Sequence, residues 1–293
     1  MIITSENLNL KKSIQIFDPI NSGGNNPRIR LSSGTFQKIE LEDDKVKYRS
    51  SAFLPKEPWR QTNTTEYNLL FSNEAMSKPK TWDIGSHIAI VRIPEYALLP
   101  LGKFNFRSIE TVEEYQSIVS NLEGEKAIKE VLNRLSDYIL NPQNLEILGI
   151  QVTEPNLKTV TVNYYGSSNE KLFVGMHLDS WDKAPLRRRH KSRNRICINL
   201  GQEDRFFLFI NLTLMDMFRH LGLSETEDIH KHYRGTEIGY EFMLRYPSYP
   251  VVQLRVAPGE AYIAPTDNII HEASTIGNHY PDITLTFLGY FGI

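Results

Sequence analysis

The sequence predicts an α+β fold, with a mixed, partly helical N-terminal half and an antiparallel β-sandwich or barrel in the C-terminal half. Three observations predict it. Aromatic residues make up 11% of the chain, and 17 Gly and 15 Pro punctuate it, as in folds with many short strands and turns. A long helical period occurs once, between residues 109 and 140. Beyond residue 145 the period becomes strand-like and recurs through eight short runs.

Taken in order, residues 1–40 carry no sustained period and read as an irregular lead-in. Within them SGGNNP at 22–27 is a loop, because Gly and Asn favour turns and Pro blocks a helix. Residues 41–66 are polar with scattered aromatics and are expected to cover one end of a core. The run IAIVRI at 88–93 reads as a buried strand, bounded by Gly85 and Pro94. In the helical stretch, Ile128, Leu132, Leu135 and Ile139 share one face, and Lys126, Lys129, Glu130 and Arg134 lie off it. Gly124 is expected to break this segment in two and Asn141-Pro142 to end it.

The strand-like runs are 147–153, 159–165, 172–177, 196–200, 206–212, 251–256, 260–264 and 283–288. A turn at 166–169 precedes the third, and a helix-like interlude spans about 213–235. No internal repeat or low-complexity tract is present. The expectation is one compact domain, 1–293, with residues 1–144 as a mixed or helical covering region and 145–293 as the β core.

Composition excludes several functions. Thirty-three Lys+Arg against 35 Asp+Glu give a net charge of −2, which removes whole-protein electrostatic binding to nucleic acid or to an anionic membrane. No apolar run approaches the roughly eighteen residues of a membrane span. The start, MIITSENLNLKK, lacks the charged-then-apolar layout of a signal peptide. A single cysteine, Cys197, excludes a disulfide framework and cysteine-rich metal sites. These features predict a soluble, cytoplasmic protein and leave the oligomeric state open.

Of the eight histidines, His177 has the most informative neighbourhood. In His177-Leu178-Asp179, at the end of an apolar strand, alternate residues share a face. An imidazole and a carboxylate so placed can take two cis positions on one metal. A third ligand from a distant strand would complete a 2-His-1-carboxylate facial triad, with positions left open for small molecules. The competing reading is a hydrogen-bonded pair at a strand end. His271 shifts the balance toward the metal reading: in PGEAYIAPTDNIIHEAS a turn, a strand and a short loop lead to a histidine entering the next strand.

The runs GMHLDSW, ICINLGQEDRFFLFIN, VAPGEAYIAPTDNIIHEAS and DITLTFLGYF, spread over about 145–293, resemble the core of the Fe(II)/2-oxoglutarate-dependent oxygenases. The likeness is to the bacterial free-amino-acid hydroxylases of that superfamily. It implies a C-terminal double-stranded β-helix, a jelly-roll or cupin-like barrel. It also implies Fe(II) bound by His177, Asp179 and His271, with 2-oxoglutarate chelating through its keto-acid end and O2 as oxidant. The substrate implied is an amino acid or a related small polar metabolite, which is hydroxylated. Asp179 argues against the halogenases, which carry a small residue in place of that carboxylate.

One departure stands out. Members of the superfamily usually carry an Arg after the distal His to grip the far carboxylate of 2-oxoglutarate, yet residues 271–293 contain neither Arg nor Lys. A dianion needs a cationic anchor, preferably a guanidinium fork. Arg205, which opens the strand at 206–212, is the first candidate, followed by Arg255 and Arg195. The departure keeps two rivals in play: a 2-oxoglutarate-independent metalloenzyme of cupin type, and a non-enzymatic β-barrel binding module in which the His-x-Asp pair is structural.

The basic run RRRHKSRNR at 187–195 is expected to hang over the pocket mouth as a lid or electrostatic funnel, against the alternatives of a solvated loop or a docking site for an acidic partner. On a helix the rings of His230 and His232 diverge, so that pair reads as surface. His279 reads as a turn residue and Cys197 as a small core residue. Arg49 and Arg60 lie among aromatic and amide side chains and are candidates for binding a substrate carboxylate, with surface packing as the alternative.

Overall fold

Alternation along NRICIN, residues 194–199, illustrates how the fold is built. Ile196 and Ile198 join one hydrophobic cluster, while Cys197 faces a different one on the opposite side. The strand therefore lies between two packed layers. A computed structural model describes residues 6–20, 27–38, 46–71, 81–111, 113–114, 122–136, 144–165, 170–226 and 228–293.

In chain order the N-terminal strands are β1 (Gln15–Phe17), β2 (Ile29–Leu31), β3 (Thr35–Gln37), β4 (Phe53–Pro55), β5 (Arg60–Gln61) and β6 (His87–Arg92). There follow β7 (Glu146–Thr153), β8 (Val162–Tyr165), β9 (Glu170–Phe173), β10 (Asn194–Asn199) and β11 (Arg205–Ile210). The last are β12 (Val251–Val256), β13 (Glu260–Ala264), β14 (His271–Ser274) and β15 (Asp282–Gly289).

A six-stranded sheet has the order β1-β6-β13-β10-β15-β7, and a five-stranded sheet the order β14-β11-β12-β2-β5. Within both, every pairing is antiparallel except β1 with β6. The sheets face each other, as the stacked rings of Phe207 on β11 and Tyr262 on β13 show, with centroids 4.1 Å apart. The outer face of the six-stranded sheet packs Ile196, Ile263, Leu285 and Phe287 against the helix Leu122–Ser136.

The mixed α+β class holds, but the barrel does not close. Among the described residues no ladder joins the two sheets, so the architecture is a sandwich. Nor does the N-terminal half stay outside it as the division at 144 and 145 suggested. The β1 and β6 strands extend one sheet, and β2 and β5 the other. Of these, β6 matches the strand expected at 88–93, while β1, β2 and β5 are two or three residues long, too short to impose a period on the sequence.

Other boundaries shift for local reasons. Gly124 does not break the helix. It lies inside Leu122–Ser136, buried together with Ala127, Ile128, Val131 and Leu135. Ile139, Asn141-Pro142, the turn at 166–169 and most of the loop at 22–27 lie outside the described residues. The helix-like interlude resolves into Leu214–His220, Ile229–His232 and Gly235–Arg245, the last running ten residues past the expected end (245 − 235 = 10). Among the described residues no helix is long and apolar enough to cross a membrane.

Candidate metal centre

The strand expected at 172–177 ends early, at Phe173, so simple strand alternation is not what aligns His177 with Asp179. Cross-links to distant residues do it. His177 and His271 form an isolated antiparallel bridge, exchanging backbone hydrogen bonds of 3.0 and 2.8 Å. The Asp179 amide donates to Thr266 O at 3.2 Å. Asp267 accepts from the amides of Trp181 at 3.0 Å and Asp182 at 3.2 Å. Buried Arg189 donates to the carbonyls of Asp179 and Asp267 and to Ser180 Oγ, stapling the two loops together.

The result is one cluster. A ligand atom from each of His177, Asp179 and His271 lies within 4.8 Å of the other two. Asp179 Oδ1 is 3.7 Å from His177 Nε2, and Asp179 Oδ2 is 3.4 Å from His271 Nε2. Cis donors about 2.1 Å from one metal lie roughly 3 Å apart, so a small contraction would seat a divalent ion. The orientation of the rings fits as well. His177 Nδ1 faces Gly175 O at 2.9 Å and His271 Nδ1 faces Ile269 O at 3.2 Å, which turns both Nε2 atoms toward Asp179. His271 Nε2 is buried without a hydrogen-bond partner, while Asp179 Oδ2 meets the Arg195 guanidinium as an ion pair at 2.8 Å. Buried polar atoms left in that condition are costly unless a ligand completes them.

Charge reinforces the picture. Burial alone would raise the Asp179 carboxyl, but Arg195 and His271 beside it hold it well below the usual carboxylate range. Burial lowers the His177 imidazole, yet the Asp179 and Glu272 carboxylates outweigh that and favour a positive charge at this ring. His271 goes the other way: burial lowers this imidazole below its ordinary value, with the charges of His177 and Arg195 adding to it and the Asp179 carboxylate opposing. A carboxylate and two imidazoles form a donor set suited to a divalent cation, whose charge would take the place of the proton that this site draws to His177.

His177 and Asp179 line a cavity of about 880 Å³. Met176, Leu178, Met243 and Ile270 supply apolar wall, and Arg49, Arg195, Trp181 and Tyr240 supply polar and aromatic groups. Arg195, on β10, reaches Asp179 Oδ2 at 2.8 Å and lies under the Trp181 ring. Arg49 lines the same cavity, its Nε buried and without a hydrogen-bond partner.

The remaining candidates separate. Arg205 lies on the inward face of β11, the face of Phe207, and is buried. Its Nη1 reaches Cys197 Sγ at 2.9 Å and its Nη2 lies 3.6 Å from Asp282, while Nε has no partner. Arg255 lies on the opposite face of β12 from the triad and pairs with Asp204 at 3.2 Å, which removes it as an anchor. Arg60 is exposed on the edge strand β5 and forks onto Glu66 at 2.6 and 2.8 Å, away from the cavity. Neither position was legible locally, because the face a strand residue takes depends on which layer covers it.

Residues 187–194 of the basic run do not line the cavity, and the run reaches it through its last residue, Arg195. Leu186–Lys191 forms a 3-10 helix in which Arg189 is the buried staple, Arg187 caps the carbonyls of Glu225 and Thr226, and Arg193 pairs with Asp182 and Glu146. His232 is exposed beside Asp228, and His279 is exposed beside Glu203, both surface residues as expected. Cys197 is a buried free thiol. Sequence reasoning missed Arg189, Trp181 and Glu272. Adjacency to His177 or His271 was the only available signal for the last two, and Arg189 was hidden in a run of like charges.

No protein-family model matches the chain, and no curated protein does. One solved structure does: a crystal structure of the Kdo hydroxylase KdoO, a non-heme Fe(II) alphaketoglutarate dependent dioxygenase in complex with cobalt(II). The identity is 13%, over 71% of this chain and 81% of that one, with a TM-score of 0.33. A likeness of that size does not establish a shared fold, so the functional reading rests on the site.

Proposed function

We propose that His177, Asp179 and His271 hold Fe(II) and that the chain is a 2-oxoglutarate-dependent oxygenase built on a double-stranded β-helix. The observation that carries this reading is the triad: three ligand atoms within 4.8 Å, with His271 Nε2 buried and unpartnered, and with His177 and Asp179 at the wall of a large cavity. Fe(II) bound there would supply the O2 chemistry that side chains lack.

The chain's own residues do the rest. The carbonyls of Gly175 and Ile269 fix the tautomers of the two histidines. Met176, Leu178, Met243 and Ile270 give the space beside the triad an apolar wall against which a C–H bond could lie. Arg195 at the triad and Arg205 deeper between the sheets are, of the three anchor candidates, the two that face inward. The unpartnered Nε and mixed contacts of Arg205 support it as the anchor for the far carboxylate. Arg49, with its unpartnered Nε, is suited to the carboxylate of an amino acid or a related small polar substrate.

Anaerobic Fe(II) titration followed by succinate measurement tests the proposal. The expected result is one Fe(II) per chain and succinate release that needs 2-oxoglutarate and rises with a matching amino-acid-like substrate. Absence of iron binding would overturn it. A second reading, a metalloenzyme that uses no 2-oxoglutarate, is favoured by one observation: Arg195, Arg205 and Arg255 each already face a carboxylate, Asp179, Asp282 and Asp204 respectively. Iron binding with no dependence on 2-oxoglutarate would select that reading.

A further inference from the structure

Glu272 follows His271 directly, and its side chain has no exposed surface. Its two oxygens differ sharply. Oε1 accepts from the amides of Ala273 at 2.8 Å and Thr161 at 3.1 Å and from Thr161 Oγ1 at 2.8 Å, with the Val160 amide at 3.4 Å. Oε2 has no hydrogen-bond partner and lies 3.5 Å from His177 Nδ1, the one cationic or potentially cationic group paired with it among the described residues. A carboxylate is expensive to bury unless it is paired, so a folded protein that keeps one here has it facing something that needs the charge.

The two ligand histidines thus have unlike backs. Behind His271 Nδ1 stands a single backbone carbonyl, Ile269 O at 3.2 Å. Behind His177 Nδ1 stand a carbonyl, Gly175 O at 2.9 Å, and the Glu272 carboxylate. A carbonyl is enough to fix the tautomer. The added carboxylate draws on the Nδ1 proton and makes Nε2 a stronger donor, and losing such an outer partner typically costs ten- to hundredfold in metal affinity.

We propose that Glu272 is a positioning residue that makes His177 the stronger of the two imidazole ligands. This rests on the metal reading above. The hydrogen bonds to Oε1 clamp the carboxylate to the 160–161 segment, so its free oxygen is aimed at the ring from a fixed point. The distance of 3.5 Å leaves room for the ring to tighten onto it when Nε2 engages a cation.

Glu272→Gln tests the assignment, because it keeps the shape and the Oε1 acceptor while replacing the charge with an amide. Co(II) is the probe, followed by its visible absorption in the full-length chain. The variant should bind Co(II) ten- to hundredfold more weakly, with an altered absorption band, while its metal-free far-UV spectrum matches the parent. Equal affinity and an identical band would overturn the proposal. Should the variant not fold, the parent loaded with Zn(II) still decides. The His177 Nδ1 proton should resonate downfield of that of His271, the two being told apart by the contact of His271 with Phe207. Coincident resonances would also overturn it. A parent that takes up neither ion would sink the metal reading itself, a different result from a parent that binds and a variant that binds as well.

Discussion

His177 and His271 each present Nε2 to Asp179 because a backbone carbonyl occupies the other ring nitrogen. Replacing either histidine with Ala should therefore abolish tight Fe(II) binding and leave the sandwich folded. Anaerobic titration and far-UV circular dichroism check this, and parental affinity in both variants would show that the triad is misassigned. Arg205 is the anchor proposed for the far carboxylate of 2-oxoglutarate. A charge-assisted pair to a carboxylate contributes about 1.5–3 kcal/mol, and one decade of affinity corresponds to about 1.4 kcal/mol. Arg205→Ala should raise the 2-oxoglutarate requirement by at least about tenfold and change iron affinity little. It should also lower stability by about 3–5 kcal/mol, because the buried Asp282 loses its counter-ion. Arg205→Lys keeps that counter-ion and separates the two effects. An unchanged co-substrate requirement in both variants would move the anchor to Arg195.

The elements around the site depend on a few local devices. Thr213 caps the helix Leu214–His220: its hydroxyl accepts from the Asp216 amide, and Asp216 in turn accepts from Thr213 N, Thr213 Oγ1 and Ser13 Oγ. Thr213→Ala should cost roughly 0.5–2 kcal/mol, read from urea denaturation. Burial raises the Asp216 carboxyl, but the bonds from Ser13 and Thr213 outweigh that and leave it below its ordinary value. A depressed folded-state value means the contribution is complete above the unfolded value, about 4, and is lost as the pH falls through the folded value. Parent stability should accordingly drop on acidification below about pH 4, and Asp216→Asn should flatten that limb. A parallel slope in both proteins would count against it. Gly175 is the second device. Its φ is +72°, and a Cβ there would sit 2.5 Å from Phe53 O. Gly175→Ala should push the chain off β4 just before His177, lowering stability by roughly 1 kcal/mol or more and weakening Co(II) binding.

Across the whole molecule, the site ties together segments that the chain keeps far apart. Since ligands from the 177–179 loop and from β14 must meet, a bound metal should stabilise the folded sandwich against unfolding. Metal at a hundred times its Kd adds about 2.7 kcal/mol, which should raise the midpoint of thermal unfolding by several degrees in the parent and not in His271→Ala. A midpoint that does not respond to Co(II) would contradict this. The same scale separates what the sequence determined from what folding decided. Residue type and spacing are local properties, so they located most of the C-terminal strands, the main helical stretch and the His177-x-Asp179 pair, and the resemblance of the surrounding motifs added His271. They also exposed the missing cation after His271. Tertiary structure decided the rest. It recruited the short N-terminal strands into both sheets, left the sandwich open, turned Arg205 inward and Arg255 outward, sank Arg189 as a staple and aimed Glu272 at His177. The physical reason is common to all of these. A short strand is held by its neighbours, and a charged side chain is held by its counter-ion. Both partners come from elsewhere in the chain, where no local pattern records them.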